Sequence, residues 1–189
     1  MSLAWIPNAI CVLRILLSAP SALALLAGRY ELTLLLFGIA ALSDGLDGWL
    51  AKSFGWTSRL GKILDPIADK VLLVTVFLTL VWIGLVPLWL AVTVVVRDVV
   101  IVGGAIAYRL LIGYIEGRPT PVSKLNTLLQ LSFVLVVIAA AAWSGVPRAV
   151  VVAIGAATFV TTVISGLDYV LTYARAALRP TRAAPRVAS

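Results

Sequence analysis

At 189 residues and 62% hydrophobic, with a mean hydropathy of +1.10, the chain is too apolar for a soluble domain and reads as one integral membrane protein. Histidine is absent, which excludes histidine acid/base chemistry and histidine metal ligands, and the single Cys11 excludes an internal disulfide. The net charge of +7 points to membrane topology and anionic head groups rather than to nucleic acid.

The apolar runs predict an all-α bundle of about six transmembrane helices, near 8–27, 31–52, 60–82, 87–113, 121–143 and 147–175. The first holds Arg14 and has no cleavage-site pattern before Arg29, so it reads as a retained helix, not a signal peptide. Turn residues separate the runs: Gly28, Gly55, Gly84 with Pro87, Gly117 with Pro119 and Pro121, and Gly145 with Pro147. Residues 1–178 form the membrane domain, and the Ala-, Pro- and Arg-rich tail 179–189 is expected to be disordered. Trp5, Trp82, Trp89 and Trp143 fall near helix ends, as interfacial anchors do.

With both termini on one side, that side collects Lys52, Arg59, Lys62, Arg109, Arg118, Lys124, Arg175, Arg179, Arg182 and Arg186. The other side collects Arg29 and Arg148. The bias predicts cytoplasmic termini. A bacterial inner membrane is the expected location.

Against this apolar background stand Asp44, Asp47, Asp65 and Asp69, half of the 8 acidic residues. Ionised carboxylates inside a bilayer are costly and mark function. Asp44 and Asp47 are three apart and Asp65 and Asp69 four apart, so each pair shares one face of its helix. Four carboxylates aimed at one point require cations, and hard oxygen ligands suit Mg²⁺ or Mn²⁺. Two such ions about 4 Å apart would clamp a phosphoryl transfer. Gly45, Gly48 and Gly61 leave room for a bulky ligand beside the helices, and Lys52 is placed to neutralise a diphosphate. Asp65-Pro66 fits a helix entry, since proline is tolerated in the first turn.

The pattern Asp44-x2-Asp47-Gly48-x2-Ala51-Lys52-x8-Gly61-x3-Asp65-x3-Asp69 resembles the signature of the CDP-alcohol phosphotransferase family. The family has Arg where this chain has Lys52, which keeps the charge and loses the planar fork. The resemblance extends to the six-helix layout. It implies that Asp44, Asp47, Asp65 and Asp69 hold two divalent cations and that Asp69 is also the general base on the acceptor hydroxyl. It further implies a CDP pocket formed by Gly48, Ala51, Lys52 and Gly61, CDP-diacylglycerol as donor, CMP as leaving group, and a homodimer.

Arg97-Asp98-Val99 and Pro121-Val122-Ser123-Lys124-Leu125-Asn126-Thr127 look like stretches of the eukaryotic-type cardiolipin synthases of that family. This implies phosphatidylglycerol as acceptor. Phosphatidylglycerophosphate synthases, which use glycerol 3-phosphate, more usually carry Arg-Glu at the first position pair. Arg97, with Arg109 and Lys124, is a candidate site for the acceptor phosphate; the alternative is that Arg97 simply pairs with Asp98 or another carboxylate. Asn8 and Arg14 match an N-terminal pattern common to both groups, with a head-group role or a cap and interface role open to them. Two readings of other classes remain: a small cation transporter, and a non-enzymatic subunit whose charges join helices.

Overall fold

A computed structural model describes the backbone over residues 5–54, 61–111 and 120–178. Side chains at 5–7, 44–54, 61–63, 65–66, 105, 107–111 and 174–178 fall outside that description, as does the tail 179–189. Six helices make up the described chain: α1 (Trp5–Leu26), α2 (Tyr30–Phe54), α3 (Gly61–Trp82), α4 (Leu88–Leu111), α5 (Pro121–Ala142) and α6 (Arg148–Leu178). No strand occurs among the described residues. Asn8–Leu26, Pro121–Ala142 and Arg148–Tyr173 are each long and apolar enough to cross a membrane, and Tyr30–Ser43 is a shorter apolar segment.

The glycines set two of the turns. Gly28 has φ 68° and Gly84 has φ 78°, a conformation that costs glycine nothing. Each closes a Schellman cap. Gly28 N–H donates to Leu25 O and Arg29 N–H to Ala24 O; Gly84 N–H donates to Val81 O and Leu85 N–H to Leu80 O. The start of α5 is set by Thr120, whose side chain accepts from Ser123 N–H, with Pro121 in the first turn where no N–H is needed.

Proline placement differs from expectation in α3. The helix begins at Gly61, so Pro66 lies in its second turn, not its first. Only the bond to the carbonyl of residue 62 is lost, and the apolar turns that follow are held by burial of Ala68, Leu72, Leu73, Val76 and Leu80. Pro20 likewise lies inside α1. The hydroxyls on either side of it bond back to the helix, Ser18 to Ile15 O at 2.6 Å and Ser21 to Leu17 O at 2.7 Å.

Helix α1 packs on α2 and α3, while α6 packs on α4 and α5; α2 against α5, and α3 against α4 and α5, join the two groups. The core follows these seams. Phe37, Leu72, Val76, Leu80, Leu90, Val134 and Ile138 are buried, and Phe77 meets Phe133 with ring centroids 6.0 Å apart. Leu16, Leu23, Leu35, Leu42, Val99, Leu128 and Val152 face outward. In water this surface would aggregate; in a bilayer it is solvated by lipid. Trp82, Trp89 and Trp143 are exposed and cluster at the end of the bundle reached by the Gly28 and Gly84 turns. This matches the expected interfacial belt. There Trp143 Nε1 donates to Glu31 Oε1 at 3.3 Å, tying α5 to α2.

Candidate active site

Helix α2 carries positions 44 and 47, and α3 carries 65 and 69. The two helices run antiparallel, with α2 ending at Phe54 and α3 starting at Gly61. At 1.5 Å per residue, position 47 lies roughly 10 Å from its helix end and position 69 roughly 12 Å from its helix start. The motif positions thus come to similar heights on the two helices. Of the four aspartates, Asp69 is described in side-chain detail; Asp44, Asp47 and Asp65 lie outside the described side chains, as do Lys52 and Arg109. For Gly48, Ala51 and Gly61 the backbone alone is described, and it is helical.

Asp69 is held from α1. Arg14 donates from Nη1 to Asp69 Oδ1. The guanidinium side is 1% exposed and the carboxylate side 39% exposed. The arginine is therefore a buried prop and the carboxylate is partly open. Sequence reasoning left Arg14 between a head-group role and an interface role, because nothing in a single sequence says which helix α1 will touch. Its position halfway along an apolar helix was the signal.

The next residue, Lys70, begins a second network that crosses the bundle. Lys70 Nζ donates to Asp98 Oδ2. Arg97 Nη1 donates to Asp98 Oδ1 at 2.8 Å. Arg97 Nη2 then donates to Ser123 Oγ and to Ser165 Oγ, both at 2.6 Å. Four helices, α3 to α6, are joined through one guanidinium and one carboxylate. Arg97 is buried, and α6 packs beside it at Gly166, where a Cβ would lie at an ordinary contact distance of 3.5 Å from Arg97 Cγ. Of the two readings of Arg97, the pairing with Asp98 is present. Lys124 is exposed on α5 beside Ser123. Ser123 and Ser165 were missed as partners, since serine in an apolar helix carries no distinctive signal of its own.

The charge pattern has a chemical meaning. Near Asp69 the described side chains supply a carboxylate and an arginine; near Asp98 they supply two cations on one carboxylate. A buried arginine with hydroxyls around it is a geometry that also suits a phosphate. Carboxylates are hard-oxygen donors of the kind that suits divalent cations, and of the four motif aspartates Asp69 alone is described in its side chain. At the opposite end of the bundle lies a recess of about 460 Å³ lined by Gly28, Arg29, Tyr30, Glu31, Leu32 and Ala142. It is remote in chain position from every motif residue.

Residues 4–179 match the sequence profile of the family described as CDP-alcohol phosphatidyltransferase. The chain is 29% identical over 182 residues to a probable CMP-forming cardiolipin synthase of Drosophila melanogaster, covering 88% of this chain and 56% of that protein. It is 31% identical over 180 residues to the CMP-forming cardiolipin synthase of Rattus norvegicus, covering 87% of this chain and 60% of that one. A probable phosphatidylglycerophosphate synthase of Mycobacterium tuberculosis is 33% identical over 138 residues, covering 71% of this chain and 62% of that protein. The matches therefore span less than two thirds of each of these relatives.

Proposed function

The chain belongs to the CDP-alcohol phosphatidyltransferase family, a membrane family that uses divalent metals, and from that premise we propose that it makes cardiolipin. The donor is CDP-diacylglycerol and the acceptor phosphatidylglycerol. The acceptor hydroxyl oxygen forms a bond to the phosphorus that bears the lipid. The bond from that phosphorus to the bridging oxygen breaks, and CMP leaves with the electron pair. The hydroxyl proton passes to the Asp69 carboxylate.

One observation carries the reading. Asp69, the last residue of the motif, is a partly exposed carboxylate fixed by a buried arginine from another helix. A carboxylate that served only to join helices would be covered on both sides. Asp44, Asp47, Asp65 and Asp69 would hold the two cations, Mg²⁺ or Mn²⁺. When bound, these supply positive charge to the diphosphate and acidify the acceptor hydroxyl. Gly48, Ala51 and Gly61 leave the backbone of α2 and α3 open to the CDP moiety, and Lys52 meets its diphosphate. Arg14 keeps Asp69 in place. Arg97, oriented by Asp98, Ser123 and Ser165, meets the acceptor phosphate, with Arg109 and Lys124 as further cations.

Phosphatidylglycerol is preferred because two cardiolipin synthases match 88% and 87% of this chain, and because Asp98 follows Arg97 where phosphatidylglycerophosphate synthases more usually have Glu. The second reading, glycerol 3-phosphate as acceptor, is favoured by that same 33% identity. The excess of Lys and Arg at one end supports cytoplasmic termini and a site open to the cytoplasmic face, and the family resemblance supports a homodimer.

The test is CMP release by the purified protein from CDP-diacylglycerol with Mg²⁺ or Mn²⁺, with each acceptor in turn. Stimulation by phosphatidylglycerol alone is expected. Stimulation by glycerol 3-phosphate alone selects the second reading, and no release with either overturns both.

A further inference from the structure

Between α5 and α6 runs a seam of buried polar side chains, and it continues inward from Arg97. The first level is Ser123 and Ser165, both on the Arg97 guanidinium. One turn further, Asn126 Oδ1 accepts from Thr161 Oγ1 at 3.0 Å and from Thr162 Oγ1 at 2.8 Å. One turn further again stands Gln130, with Thr158 on the facing helix donating to Leu129 O at 3.2 Å. The seam then closes: Phe133 packs against Gly155 so tightly that a Cβ there would lie 2.9 Å from its Cε2.

Gln130 is the anomaly. It is 0% exposed, and among the described residues neither its Nε2 nor its Oε1 has a partner. Asn126, also 0% exposed, has no partner for Nδ2 among the described residues. Unpaired amides are expensive in an apolar interior, more so inside a membrane helix pair. The two residues are one turn apart on the same side of α5, about 6 Å along the axis. That spacing suits a single small bridging group. The unmet groups include both donors and an acceptor. A cation would face N–H groups, and an anion would face the Gln130 oxygen. Water donates and accepts, and a buried water with two to four such partners is a common way to satisfy them.

We propose that Asn126 and Gln130 form an internal water site in the α5–α6 seam, sealed below by Phe133 on Gly155. The site is separate from the motif carboxylates and does not depend on the proposed reaction. Its role is to satisfy the seam beneath Arg97, so that α5 and α6 hold their serines against the guanidinium.

Two variants separate this from plain packing. Gln130→Met matches the volume and removes both polar atoms. Gln130→Asn keeps the amide and leaves space that a second water can fill. Purified variants are compared by thermal unfolding in lipid nanodiscs. The expected order is a fall of about 2–4 °C or more for Gln130→Met and a smaller fall for Gln130→Asn. Failure of the Met variant alone to fold counts the same way. A Met variant as stable as the parent, or more stable than the Asn variant, overturns the proposal. The second measurement is a high-resolution structure in lipid. Ordered water density within hydrogen-bond reach of both amides is expected; direct bonding of the Gln130 amide to protein atoms, with no water, overturns it.

Discussion

Arg14 on α1 and Asp69 on α3 form an ion pair in which the cation is buried and the anion is partly open. The asymmetry decides what each substitution does. Arg14→Met leaves a carboxylate that can still reach water, so the stability loss is below the 3–5 kcal/mol of a fully buried broken pair, about 1–3 kcal/mol. Turnover should fall by more than the stability change implies, because Asp69 is no longer fixed. Arg14→Lys should recover stability more than turnover, since it keeps the charge and loses the fork. Thermal unfolding and CMP release on the same preparations check this; equal recovery of both would contradict the positioning role.

Asp98 bridges Lys70 and Arg97, and its two contacts are unequal. Lys70 is 40% exposed and Arg97 6% exposed at the side chain. Lys70→Met should therefore cost less than about 1 kcal/mol. Asp98→Asn strips the counter-charge from a buried guanidinium and should cost about 3 kcal/mol. It should also raise the acceptor KM by tenfold or more while leaving the KM for CDP-diacylglycerol within twofold. Chemical denaturation and two-substrate kinetics measure the two effects.

Gly155 and Gly166 both lie on α6, yet their alanine variants should differ. At Gly155 the new Cβ would meet Phe133 Cε2 at 2.9 Å; at Gly166 it would meet Arg97 Cγ at 3.5 Å, an ordinary contact. Phe133 is buried and packs against Phe77 with the rings tilted by 42°, so it has little room to yield. Gly155→Ala should destabilise by about 1–3 kcal/mol. Gly166→Ala should be neutral or slightly stabilising, by up to about 1 kcal/mol from helix propensity. Melting temperatures of the pair decide it.

Metal dependence gives the next expectation. A chelator should abolish CMP release, and Mg²⁺ or Mn²⁺ should restore it. Asp65→Asn should lower turnover by a factor of about 10³ or more, in line with losing electrostatic stabilisation of about 4 kcal/mol. Full activity of Asp65→Asn would remove the carboxylate cluster from the mechanism.

Lys52 stands where the family pattern has arginine. Lys52→Ala should raise the KM for CDP-diacylglycerol about tenfold or more, the size of one charge-assisted contact. Lys52→Arg should lower it or leave it unchanged. Initial-rate kinetics at saturating acceptor check both.

Much of this arrangement was legible in the chain. Apolar length and glycine turns placed six helices within a few residues of those observed, because in a membrane each helix satisfies its own backbone and little else competes. Aspartate spacing put the motif on the second and third helices, and both helices span those positions. The predicted start of the third helix near residue 60 matches Gly61, and only the reading of Asp65-Pro66 as a helix entry fails, because tertiary burial holds a proline in the second turn. Helix partners were not legible. That Arg14 would meet Asp69, or that Arg97 would reach Ser165, depends on which helix faces which. Nor does the sequence announce the buried amide of Gln130, because a lone amide in an apolar run has no period of its own.

The division of packing into α1 with α2 and α3, and α6 with α4 and α5, has a consequence for biogenesis. The ribosome delivers the aspartate motif and its Arg14 prop first. Arg97, Arg109 and Lys124, proposed for the acceptor phosphate, arrive afterwards, with α4 and α5. On the proposed function, a nascent chain halted after Trp82 would carry all four aspartates proposed for the metals and none of the residues proposed for the acceptor phosphate. The hydrogen bonds around Arg97 are complete only with the final helix, which supplies Ser165.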